Sequence, residues 1–170
     1  MWLELPALEK SPGGSRVSGY EAHVRFALIS DVHFGPAAYH GGKLRKLTHR
    51  AADLTEEFVR CMNESAHPDV VINLGDVLED QNREVDLANY GVFTRTLAAL
   101  RAPVLHVAGN HDTVNLTHAD LEELWQHSGP LHYSRSIGGV RFCVLHTHET
   151  KDVAVRLPEE QFSWLERELQ

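Results

Sequence analysis

Three short polar clusters carry the residue types that do chemistry: Asp31-Val32-His33, Gly75-Asp76 and Gly109-Asn110-His111-Asp112. Each follows directly on an apolar run. Together they offer carboxylate oxygens, imidazole nitrogens and one neutral amide oxygen. Mixed oxygen and nitrogen donors suit Mn, Fe, Zn or Ni rather than a thiolate-loving metal. In Asp31-x-His33 an extended backbone would send both side chains the same way, because the side-chain period of a strand is two, so both could grip one ion. Asp76 follows a glycine, which permits a tight turn. Its two carboxylate oxygens could bridge two cations. Asn110 adds a neutral oxygen, and His111 adds a ligand or a proton. Two divalent metal ions roughly 3.5–4 Å apart would clamp a phosphoryl group and generate a hydroxide nucleophile. Each cluster alone has an ordinary explanation as a turn or helix cap. The three in this order, each at a strand end, point to a metal centre.

The clusters need elements to position them. Residues 24–29, 69–74 and 103–107 read as short buried strands. Leu44, Leu47, Ala51, Leu54, Phe58 and Met62 recur at steps of three and four, which predicts a helix over about 43–64. A second helix, over about 86–100, carries Leu87, Tyr90, Phe93, Leu97 and Leu100. The resulting β-α-β-α-β order predicts an α/β fold with a largely parallel sheet and right-handed crossovers. Ligands of open α/β sheets bind beyond the carboxyl ends of the strands, so the three clusters should converge on one edge. A helix follows over 119–127. Strands over 131–137 and 140–145 flank Gly138-Gly139, a two-residue hairpin signal. A final helix starts near Pro158, with Glu159 and Glu160 at its positive end.

Sixteen Lys+Arg against 24 Asp+Glu leave the 170 residues with a net charge of −8, and 42% are hydrophobic. This composition excludes a disordered, collagen-like or coiled-coil chain. The acidic balance disfavours a broad nucleic-acid groove but leaves room for a small phosphorylated ligand held by local charges or metal ions. Cys61 and Cys143 cannot build a disulfide framework, and both read as small buried apolar residues. The start has no Sec-type signal, and no run reaches the roughly 18 apolar residues of a membrane span, so the cytoplasm is expected. Residues 1–22, with Ser11-Pro12-Gly13-Gly14-Ser15, read as a mobile leader to a domain over 23–170.

The three clusters resemble the first signature blocks of the calcineurin-like metallophosphoesterases. Ile29-Ser30-Asp31-Val32-His33-Phe34-Gly35 and Val107-Ala108-Gly109-Asn110-His111-Asp112 match closely. The tail, with Gln161-Phe162-Ser163-Trp164-Leu165, resembles the cyclic-nucleotide phosphodiesterase branch. The resemblance implies an α/β/β/α sandwich and a metal-dependent phosphoesterase that hydrolyses a phosphomonoester or phosphodiester by a metal-bridging hydroxide. It implies two divalent metal ions and a small phosphorylated substrate, a cyclic nucleotide among the candidates. Asp31 and His33 would hold the first metal, and Asp76 would bridge both. Asn110 would hold the second metal and contact a phosphate oxygen. His111 would be the general acid, and Asp112 would orient or tune its imidazole.

The family pattern continues into a second half, with a His after a fourth strand and a Gly-His-x-His block, and this sequence holds neither. The family's scheme would leave site one three of four protein ligands (Asp31, His33, Asp76) and site two only two (Asp76, Asn110). A truncated sandwich would expose apolar sheet surface and imply a homodimer or a missing C-terminal half. The alternative function is a catalytically incomplete metal- or phosphate-binding fragment, or a partner subunit. The branch has Leu-Asp-Thr or Leu-Asp-Ser where this chain has Leu145-His146-Thr147-His148. His146 and His148 are replacement ligands or loop residues, and the loop reading is preferred. His40, in the loop after the first block, could approach substrate. Trp125 and Trp164 read as core.

Overall fold

A computed structural model describes residues 23–149 and 155–170, so the expected leader over 1–22 lies outside the described residues. The fold is mixed α/β. Strands β1 (Phe26–Ile29), β4 (Val70–Asn73) and β5 (Val104–His106) form a parallel sheet in the order β1-β4-β5. Phe26 pairs with Val70, and Val71 pairs with Val104. The central strand reads Val-Val-Ile-Asn because both its faces are covered: Val70, Val71 and Asn73 are fully buried. At the edge, Phe26 and Leu28 of β1 stay about half exposed.

The predicted helix over 43–64 is shorter than expected. Residues 38–46 instead form a hairpin of β2 (Ala38–His40) and β3 (Lys43–Lys46), followed by a single 3-10 turn and then α1 (Ala51–Cys61). Gly41 and Gly42 both adopt positive φ, the two-residue turn that glycine permits and that a helix would forbid. Leu44 and Leu47, assigned by their spacing to a buried helical face, are exposed. Leu54 of the same pattern is exposed too, and only its Ala51 is fully buried; the face that α1 buries runs through Ala51, Thr55 and Val59, spaced by four. A π-turn over Met62–Ala66 carries the chain to His67, whose left-handed φ ends the helix.

Helix α2 (Arg83–Leu97) starts at Asn82, whose side-chain oxygen accepts the Val85 N–H at 3.1 Å. It buries Tyr90, Phe93 and Leu97 against Phe34, Val77, Leu78 and Leu121. The short α3 (Asp112–Asn115) leads to α4 (His118–Trp125), which opens on a capping box between Thr117 and Asp120. Strands β6 (Tyr133–Ile137) and β7 (Val140–Val144) form the predicted hairpin around Gly138-Gly139, with both glycines at positive φ. The two-residue strands β8 (His148–Glu149) and β9 (Val155–Arg156) pair next, and α5 (Glu159–Glu168) ends the described chain. Cys61 is exposed and Cys143 half-buried, so neither is the buried apolar residue expected; Cys61 falls on the outer face of α1. Trp125 is half-buried against the core and stacks on His106, with ring centroids 5.4 Å apart. Among the described residues no helix is long and apolar enough to cross a membrane.

Candidate metal centre

The three polar clusters converge at the carboxyl edge of the parallel sheet, as the strand order requires. The loops after β1 and β4 run on side by side. Asp31 N–H donates to Gly75 O at 3.1 Å, His33 N–H to Asp76 O at 3.1 Å, and Phe34 N–H to Val77 O at 2.7 Å. The loops after β4 and β5 meet even more closely. A Cβ on Gly75 would lie 2.7 Å from the Gly109 Cα, so only glycine fits at this crossing.

Asp31, His33 and Asp76 all hold left-handed backbone, with φ of 56°, 51° and 53°. The extended Asp31-x-His33 geometry expected from strand periodicity is therefore replaced by a turn. Non-glycine residues at such angles store strain that surrounding structure must hold in place, and such residues gather at functional sites. Here the paired loops supply the hold.

The ligand atoms of His33, Asp76 and His111 all lie within 4.8 Å of one another. Asp31, expected beside His33 and Asp76 on one ion, is more peripheral. Its side chain is largely exposed, with Oδ1 3.8 Å from His33 Nε2 and Oδ2 accepting the Ser30 hydroxyl at 2.5 Å. His111, expected as the general acid, joins His33 and Asp76 in the tight group, with Asp31 beside it. Asn110 is exposed and lines the same cavity as Asp31 and Asp76.

Both imidazoles are oriented by their Nδ1 atoms. His33 is 8% exposed, and its Nδ1 lies 3.0 Å from Leu78 O and 3.0 Å from Glu79 Oε2. A carbonyl only accepts, so Nδ1 carries the proton and Nε2 presents its lone pair. Glu79 is held in turn by Lys46 of β3, whose Nζ donates to both carboxylate oxygens at 3.0 Å. His111 Nδ1 donates to Asp80 Oδ2 at 2.9 Å, again leaving Nε2 for chemistry. The two rings meet edge to face at 4.8 Å. The His111 N–H donates to Asp76 Oδ1 at 3.1 Å. A carboxylate has about four acceptor positions, so this bond leaves Asp76 able to bind a cation.

The side chain bonded to His111 Nδ1 is therefore Asp80, while Asp112, expected to orient or tune that imidazole, bonds backbone amides. Asp112 is fully buried and acts as a brace between loops. Its Oδ1 accepts Val77 N–H at 2.8 Å and Leu78 N–H at 3.3 Å, and its Oδ2 accepts Gly109 N–H at 3.0 Å. Burial pushes its carboxyl up to about 6, against the pull of these three N–H donors. Glu79, Asp80 and Lys46 were missed from the sequence. The one available signal was acidic density: Glu79-Asp80 follows Gly75-Asp76 within a single loop.

Two imidazole nitrogens with free lone pairs and one carboxylate form a donor set that fits a divalent cation of the Mn, Fe, Zn or Ni kind. The tight group lies next to a cavity of about 760 Å³, lined by Asp31, Asp76 and Asn110 and also by His146 and Thr147. His146 thus belongs to the cavity wall rather than to the tight ligand group, and His148 falls in β8.

A family model described as calcineurin-like phosphoesterase matches residues 24–168. A search of curated proteins finds no match.

Proposed function

This chain belongs to the calcineurin-like phosphoesterase family, and from that premise we propose that it is a metal-dependent hydrolase of phosphomonoesters or phosphodiesters. The observation that carries the reading is the cluster of His33, Asp76 and His111 within 4.8 Å, with each imidazole already oriented through Nδ1. A divalent cation held there supplies Lewis-acid polarisation of a phosphoryl oxygen and an acidified water. His33 and Asp76 would hold the cation. Asp31 stands beside them as a further ligand for it or for a second ion. Asn110, on the cavity wall, donates its amide N–H to a phosphoryl oxygen.

His111 manages the proton. With Nδ1–H donated to Asp80, Nε2 is the ring atom left to carry the transferable proton. Water gives up one proton to bulk solvent, and its oxygen forms a bond to phosphorus opposite the leaving oxygen. The ester P–O bond breaks, the proton from His111 Nε2 passes to the departing alkoxide, and the ring regains a proton from solvent. Asp112 contributes by fixing the loops that carry Asp76 and His111. The substrate is a small phosphorylated ester rather than a long nucleic acid, in keeping with the acidic chain.

The test is Mn titration into the purified chain, with turnover of p-nitrophenyl phosphate and bis-p-nitrophenyl phosphate. Asp76→Asn should lower Mn-dependent turnover at least about a hundredfold. Full metal occupancy with no turnover of either ester overturns the reading. The position of His111 favours one alternative. A ring nitrogen of His111 lies within 4.8 Å of the His33 and Asp76 donors, and if Nε2 served as a third ligand it could not donate a proton. The chain would then bind metal and phosphate without hydrolysis. Elemental analysis of His111→Ala separates the two: metal retained with turnover lost supports the acid role, and metal lost supports the ligand role.

A further inference from the structure

The cavity at the strand ends is wider than a phosphate needs, and part of its wall comes from outside the three loops. Its volume of about 760 Å³ falls in the range of pockets that enclose small organic ligands. Leu74, Val107 and Val114 line it, and Leu74 and Val114 are 45% and 60% exposed. Aliphatic side chains left in water inside a concave polar site gain most when the apolar part of a ligand covers them. Thr113 and Thr147 add hydroxyls to the same wall, and His146 adds an imidazole.

His146 is fixed in place by the last helix. Gln161, in the first turn of α5, is 2% exposed. Its Oε1 accepts the His146 N–H at 2.9 Å, and its Nε2 donates to His146 O at 2.7 Å. A buried amide is costly unless both ends are satisfied. Here both ends close on the backbone of one cavity residue, which sets where the loop after β7 meets the cavity.

We infer that this wall is the subsite for the organic group of the substrate. That group is aryl or similarly flat and apolar, with a hydrogen-bonding edge. The apolar face lies on Leu74, Val107 and Val114, and the edge meets His146 and the threonine hydroxyls. His146 is a substrate-contacting residue and Gln161 its positioning residue. This assignment rests on the phosphoester reading of the strand-end site.

The experiment compares phenylphosphonate with methylphosphonate, which share an acid group and differ only in the organic group. Affinities are measured by calorimetry on the Mn-loaded chain, with occupancy checked by elemental analysis. The wild-type chain should bind phenylphosphonate at least about tenfold tighter. His146→Ala and Gln161→Leu should both bring that ratio down toward one. Gln161→Leu can disturb the loop itself, so Val114→Ser, at an exposed position, is an independent arm that should also lower the ratio. A wild-type ratio near one overturns the inference, as does a ratio preserved in both His146→Ala and Val114→Ser. Parallel loss of both affinities in His146→Ala overturns it too, by assigning the imidazole to the phosphate. Selective binding without turnover of any ester would uphold the subsite while removing the hydrolase reading; no binding of either ligand at full occupancy would remove both.

Discussion

Gly75 and Gly41 share a positive φ and have opposite surroundings. Their neighbours Asp76 and Gly42 have positive φ too. At Gly75 an added Cβ would strike the Gly109 backbone, whereas at Gly41 it would meet nothing within 4 Å. The turn at Gly75 is packed between loops that share hydrogen bonds and carry the candidate ligands. The turn at Gly41 closes a hairpin whose second strand, Lys43–Lys46, is exposed along its length. The same conformational device thus serves two ends. In one place it brings backbones close enough to set ligand spacing, and in the other it only reverses the chain.

The largest expected effect falls on the packed turn. Gly75→Ala should cost roughly 3 kcal/mol or more, since backbone strain adds to a backbone clash, and should abolish metal binding. Denaturant titration and elemental analysis would show it. Next comes the imidazole support at the same site. Asp80→Asn should lower kcat roughly 10–100-fold while leaving metal content unchanged. If metal falls with kcat, Asp80 acts on ligation rather than on the proton.

Two separate titrating groups give a third, smaller effect. Burial lowers His106 from 6.5 to about 4. Between those values the unfolded chain takes a proton that the folded chain refuses. The His106 contribution is therefore full above pH 6.5 and is lost as pH falls toward 4. Asp112 runs the other way, raised from 3.8 to about 6, so its contribution is full below pH 3.8 and is lost as pH rises through 6. His106→Gln removes only the first. Relative to wild type, that variant should gain about 1–2 kcal/mol between pH 7 and pH 5, read as a narrowing difference in Tm. A difference independent of pH would mean that His106 titrates normally.

The hairpin should respond least. Gly41→Ala should cost about 1 kcal/mol, from backbone strain alone. Lys46→Ala removes a half-exposed ion pair to Glu79 worth at most about 1 kcal/mol. A loss at Gly41 as large as that at Gly75 would erase the contrast between the two regions.

The sequence made the parallel sheet and its polar edge legible because apolar runs ending in Gly-Asp and Gly-Asn-His-Asp are local signals. Its periodicity misassigned the segment before α1, where Leu44 and Leu47 continue a helical spacing that tertiary structure does not use. The Gly41-Gly42 pair was the overlooked sign, identical in kind to the Gly138-Gly139 turn that was recognised. Asp80, Glu79 and Gln161 were invisible for a different reason. Their partners lie 31, 46 and 15 residues away, and a side chain's reach across a fold leaves no periodic trace. The same blindness assigned Asp112 to the imidazole beside it in sequence rather than to the three backbone amides it meets in space.

That brace bears on the order of assembly. Because the Asp112 carboxylate ties Val77 and Leu78 to Gly109, the gap between the β4 and β5 loops is set by folding. Loading should then come last, into a seat already made. Chelator-treated protein should keep slow amide exchange at those three positions, and metal uptake should follow a single fast phase with no refolding step.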